Sequence, residues 1–158
     1  ELDLSRVTRA QKAKLTEQRF DTVLVMNVLE HVDDDLRSII DMRDCLVDGG
    51  LLVIIVPAMQ QIFGTLDVAY GHFRRYSRKD LEDRAERSAM RLVHCGYFNA
   101  VGVLGWWVAG RLRACQYLPR RQIRLFDALT PVLRAVERIC RPPWGLSLVA
   151  VLEREGGR

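Results

Sequence analysis

The sequence predicts an α/β fold in which parallel strands are joined by a helix, and three observations carry the prediction. Residues 22–27 form a Val-rich apolar run of strand length that breaks at Asn27 into the polar pair Glu30-His31. Residues 33–47 open on three aspartates, then place Leu36, Ile39, Ile40, Arg43 and Leu46 at spacings of three and four. That is the period of an amphipathic helix, and the acidic start suits its amino terminus. Residues 51–56, Leu-Leu-Val-Ile-Ile-Val, are a second apolar run, preceded by the helix stop Asp48-Gly49-Gly50 and ended by Pro57. Together they make one right-handed crossover unit. The unbroken apolar runs predict strands covered on both faces. Open α/β sheets place ligands at the carboxyl ends of their strands, so the chain is organised around residues 20–35.

The flanking elements follow in order. Residues 8–19 are rich in helix formers but nearly all polar, which predicts a short exposed helix. Residues 58–77 have no sustained period and are expected to be a functional loop. Ser77, with Asp80 three residues on, predicts the cap of a helix reaching about Met90. Residues 91–99 read as a third strand, and residues 145–153 as the last. Between them, residues 101–118 carry Trp106-Trp107 in an apolar first half and arginines in the second. Phe126, Leu129, Leu133, Val136 and Cys140 then repeat at helical spacing, with Thr130-Pro131 expected to cap and restart that helix.

Composition bounds the function. With 158 residues, 49% of them apolar, the chain can build the core of one domain. The formal charge is +4, but residues 101–141 hold eight arginines against Asp127 and Glu137, a local +6 that leaves −2 for the rest. The basic character thus belongs to one segment. Cys45, Cys95, Cys115 and Cys140 form no C-x-x-C pair, which argues against a zinc ribbon and a disulfide framework and for a cytoplasmic setting. No signal peptide is expected from the first residues, and no apolar run in the sequence reaches spanning length. The first residue is Glu1, which suggests a piece of a longer protein.

The order and spacing of several short motifs resemble those of the class I S-adenosylmethionine-dependent methyltransferases, in a bacterial type 11/12-like subgroup. The motifs are Phe20-Asp21, Asn27-Val28-Leu29-Glu30-His31, Asp48-Gly49-Gly50, Val56-Pro57 and Gly71-His72-Phe73-Arg74-Arg75-Tyr76. Phe98-Asn99, Gly102, Gly105 and Trp106-Trp107 look like the same subgroup, often encoded beside or fused to glycosyltransferases. The resemblance implies the carboxyl-terminal half of a Rossmann-like, doubly wound sheet, strands 4-5-7-6 of the family order, with a helical insertion (residues 101–143) before the last strand (residues 144–153). It implies S-adenosylmethionine as methyl donor, with Asp3 and Leu4 near the adenine and Asn27, Val28 and Leu29 along the methionine portion. The family's Gly-rich turn and ribose-binding acid have no counterpart here, so the chain by itself is expected to bind the donor weakly and to be inactive. The fourth family strand is expected to be a raw edge.

The remaining site residues carry paired readings. Glu30, His31 and His72 line the transfer site as acid–base or acceptor-contacting groups, or they cap and orient the local structure. Some related O-methyltransferases hold a metal on a Glu-x-x-Glu-His set; here Asn27 occupies the first position and is a poor ligand, so no metal is favoured. Arg74, Arg75 and Tyr76 clamp an anionic acceptor, or the arginines pair with Asp67 and the acidic helix start. Residues 101–141 form a lid, or a membrane-surface contact with indoles at headgroup level and arginines on phosphates. Nucleic acid is not expected, since no recognition fold accompanies the arginines. The expected function is methyl transfer to a small polar, sugar or glycolipid acceptor. The alternative is a non-catalytic remnant serving as an interaction or membrane-surface module.

Overall fold

The computed structural model describes residues 9–109, 120–140 and 142–156. Helix α1 (Arg9–Gln18) leads into strand β1 (Phe20–Met26), a single 3-10 turn (Leu29–His31) and helix α2 (Asp35–Asp44). Strand β2 (Leu46–Pro57) is followed by a second 3-10 turn (Gln60–Ile62) and by helices α3 (Thr65–Ala69) and α4 (Arg78–Arg87). Strand β3 (Met90–Phe98), helices α5 (Ala100–Trp107) and α6 (Arg120–Cys140), and strand β4 (Ser147–Arg154) complete the order. The strands lie β1-β2-β4-β3 across one sheet. β1 runs parallel to β2, while β4 is antiparallel to both β2 and β3. This is the order that the resemblance implies for the 4-5-7-6 half of the fold.

Local chemistry explains the element boundaries. Asp34 caps α2 by accepting from the Arg37 backbone N–H at 2.9 Å. Ser77 and Asp80 form the expected reciprocal capping box on α4. The glycines behave differently from the helix stop expected of them. α2 already ends at Asp44, and Asp48-Gly49-Gly50 lie inside β2 as a bulge: Phe20 pairs with Leu46, but Thr22 pairs with Leu51. A Cβ on Gly50 would sit 2.8 Å from the Val47 carbonyl oxygen, so no larger residue fits the bulge. Thr130-Pro131 likewise does not restart a helix; α6 runs through it. The Thr130 hydroxyl instead donates back to the Phe126 carbonyl at 2.9 Å. Residues 58–77 are not structureless either, because α3 and a bridge between Ala58 and Tyr76 order them.

The core sits on one face of the sheet. Leu52, Ile54 and Val56 of β2 are opposite Leu152, Ala150 and Leu148 of β4 in the ladder, and all six are fully buried. α2 and α4 cover them through Ile39, Met42, Leu81 and Ala85. Alternate residues of β2 on the second face are only half-buried, against the expectation of two covered faces. β1 departs furthest. Among the described residues nothing pairs with its outer edge, and Leu24 and Met26 are 59% and 50% exposed. Leu24→Lys is therefore expected to change the unfolding free energy by less than about 0.5 kcal/mol and to reduce light scattering on heating. A large loss of stability would show that Leu24 is covered in solution.

Candidate functional site

The carboxyl end of β1 turns sharply. Asn27 adopts a left-handed φ of 49°, which Asn tolerates better than other side chains, while its N–H still donates to the Ile55 carbonyl at 2.8 Å. The 3-10 turn that follows brings Glu30 and His31 beneath the loop carrying His72, and the Phe73 N–H donates to the Glu30 carbonyl at 2.8 Å. A cavity of about 350 Å³ opens there, lined by Asn27, Glu30, His31, Tyr70, His72 and Trp106 among others.

Two histidines are held in defined tautomers. His31 Nδ1 lies 3.1 Å from the Gly71 carbonyl, which can only accept, so that nitrogen carries the proton. Gly71 presents this carbonyl from a φ of 76°, a left-handed conformation that glycine adopts without strain. His72 Nδ1 donates to Asp67 Oδ1 at 2.9 Å. When the rings are neutral these bonds leave Nε2 of each as the acceptor, and the two rings pack edge to face with centroids 4.8 Å apart. Glu30 faces them. Its side chain is buried, and Oε2 has no hydrogen-bond partner among the described residues. Burial pushes its carboxyl up, opposed by its own backbone N–H and by the charges of His31, His72 and Arg75.

Asp67 is the hub of the site. Beyond His72 it accepts from Arg75 Nε at 2.7 Å, from the Trp106 indole at 3.1 Å and from the Gly64 N–H at 3.0 Å. Burial alone would raise this carboxyl, but the His72 bond, the Arg75 charge and the remaining donors hold it below the ordinary carboxylate range. The Arg75 guanidinium also donates to the Ala58 carbonyl at 2.9 Å and stacks 4.8 Å from the Trp106 ring. Tyr70 lies beside both His72 and Trp106, at 6.2 and 6.1 Å between centroids.

Several expected roles need correction. Arg75 is buried at the cavity wall, where its Nε donates to Asp67 and its Nη1 to the Ala58 carbonyl, the pairing that the second reading expected. Tyr76 is a core residue, its hydroxyl donating to Asp35 at 2.9 Å, within reach also of the Leu29 carbonyl. Burial and the neighbouring Asp35 push its phenol far up, away from any use as a base. Arg74 pairs with Asp35 at 3.2 Å and donates to the Asp33 carbonyl at 2.8 Å, tying the loop to the start of α2. Leu29 points into the core with no exposed surface, so its side chain cannot lie along a donor molecule. Asn27 does line the cavity and Val28 is half-buried beside it. Asp3 and Leu4 lie outside the described residues. The sequence offers Asp67 only as an arginine partner and Trp106 only as part of a lid or membrane contact, and it gives no sign of Tyr70. The one signal for Asp67 was its place as the lone acid in a loop that also carries two arginines and a histidine.

Residues 3–54 match a family model described as a methyltransferase domain. Among curated proteins, none matches the chain in sequence. Solved structures do match in fold. An S-adenosylmethionine-dependent methyltransferase from Mesorhizobium loti aligns over 97% of this chain and 67% of its own, at 13% identity and a TM-score of 0.57. One from Archaeoglobus fulgidus aligns over 98% and 66%, at 13% identity and a TM-score of 0.56. The cyclase SpnF aligns over 89% and 51%, at 13% identity and a TM-score of 0.51. The chain spans about two thirds or less of the length of these proteins. The chain shares the fold of these methyltransferases, and its residues 3–54 match the methyltransferase-domain model.

Proposed function

We propose that the complete protein transfers a methyl group from S-adenosylmethionine to a hydroxyl of a small polar, sugar or glycolipid acceptor seated between His31, His72, Tyr70 and Trp106. The observation that carries this reading is the pair of histidines with anchored Nδ1 protons in the cavity at the end of β1. The fold cannot carry it, because fold does not fix chemistry. Asn27 and Val28 fit one wall of a donor site; the donor, when bound, supplies an electrophilic methyl group on a sulfonium. This chain's own part is to hold the acceptor and take its proton. His72 Nε2 accepts the hydroxyl proton as the oxygen attacks, and Asp67 stabilises the imidazolium that results. Tyr70 and Trp106 give the acceptor a flat apolar wall and exclude water.

The test is transfer of labelled methyl from S-adenosylmethionine by the full-length protein to a panel of sugar and lipid-linked hydroxyl acceptors. His72→Ala is expected to lower kcat by about 100-fold with little change in donor affinity. An unchanged kcat would remove His72 from the chemistry, and absence of transfer to every hydroxyl acceptor would overturn the acceptor class. A second reading is favoured by one observation, the unpartnered Glu30 Oε2. Glu30, His31 and His72 offer ligand atoms within 4.8 Å of one another, and both rings have the Nδ1 support that metal-binding histidines use. One carboxylate and two imidazoles suit a divalent transition metal, which would polarise an acceptor hydroxyl. Stoichiometric metal in the purified protein, lost in Glu30→Ala, would replace the general-base reading with this one.

A further inference from the structure

We propose that the outer face of α6 seats the protein on an anionic lipid surface. The helix carries apolar side chains on its outer side as well as its inner one. Its inner side carries Thr130 and Glu137 beside Phe126 and Leu133, along a cleft against the sheet. The Glu137 carboxylate accepts the Asn99 and Ala100 N–H groups at 3.0 and 2.6 Å, so this acid is committed to the start of α5. The outer side carries Leu129, Val132, Val136 and Ile139, spaced by three, four and three residues and between 46% and 83% exposed. Four large aliphatic side chains in one line on a free face are an interaction surface rather than scattered exposure.

Charge decides the occupant. Residues 120–141 hold six arginines against two acids, a net +4, and Glu137 is turned inward. Arg124 and Arg138 are exposed on the same helix. A second copy of the chain would meet this face with the same excess of arginine, and like charges would oppose the contact. Anionic phosphates above an acyl boundary complement both features at once. The exposed Trp144, just beyond the helix, suits headgroup depth. Among the described residues no helix is long and apolar enough to cross a membrane, so the contact lies on the surface.

Flotation of the full-length protein with vesicles of phosphatidylcholine, with and without phosphatidylglycerol, tests this. Binding is expected only with phosphatidylglycerol and is expected to weaken as salt rises. Val132→Asp with Val136→Asp, and separately Arg124→Glu with Arg138→Glu, should each lower partitioning at least about tenfold at unchanged circular dichroism. If the aspartate pair fails to fold, the arginine pair decides. Absence of binding, equal binding to both vesicles, or full binding by a folded variant overturns the proposal. So does a dimer in light scattering that the aspartate pair dissociates, since that assigns the face to a second copy.

Discussion

Asp67→Ala is expected to lower the unfolding free energy by about 3–5 kcal/mol, the cost of leaving a buried charge without its partner. The orphaned group is the Arg75 guanidinium, buried under the Trp106 ring with only the Ala58 carbonyl and the indole face remaining. Domains of this size have about 5–15 kcal/mol in total, so the variant should sit near the unfolding threshold. Urea denaturation measures the loss. Arg75→Met on top of Asp67→Ala is expected to recover much of it, because removing both charges avoids the uncompensated one. If the double variant is no better than the single one, the damage comes from the freed His72 and Trp106 donors rather than from Arg75. The pH dependence has a definite sign. Asp67 is depressed in the folded state, so its contribution is complete above the ordinary carboxylate range and is lost as pH falls through the folded value. Wild type and Asp67→Ala should therefore converge in stability as the solution is acidified.

Glu30→Gln is expected to act in the opposite direction, raising stability at neutral pH because the amide carries no charge to desolvate. Glu30 is raised in the folded state by burial, so the native protein holds its proton more tightly than the unfolded chain does. Its contribution is most favourable below the ordinary Glu value and is lost as pH rises through the folded value. The gain from Gln should thus be present at neutral pH and vanish in acid. Chemical denaturation of both proteins at the two pH values checks this. A variant less stable than wild type at neutral pH would mean that Oε2 has a partner in solution, as a bound cation would provide. A more stable variant that transfers methyl poorly would mark Glu30 as a residue retained for function at the expense of stability.

Much of this protein was legible in one dimension. The Val-rich run, the amphipathic helix and the Leu-Leu-Val-Ile-Ile-Val run gave β1, α2 and β2 because each repeats over a turn or more. Ser77 and Asp80 marked the start of α4 because a capping box is local chemistry. The polar cluster after β1 pointed to the end of the sheet where a cavity opens, since a parallel strand presents polar groups at its carboxyl end.

What the tertiary structure decided were the pairings between segments that no spacing encodes. In sequence Arg74, Arg75 and Tyr76 read either as a clamp or, for the arginines, as partners of Asp67 or the acidic helix start. Only the folded loop shows that Asp35, Asp67 and Leu29, between 8 and 47 residues away, have taken them. The same holds for Trp106, whose indole crosses 39 residues to reach Asp67. The sheet decided that Gly49 and Gly50 form a bulge, because only the registry with β1 reveals the surplus residues. Residues 20–35 by themselves placed the candidate site at the end of β1. The long-range hydrogen bonds that satisfy buried charges determined which side chains remain free to serve it.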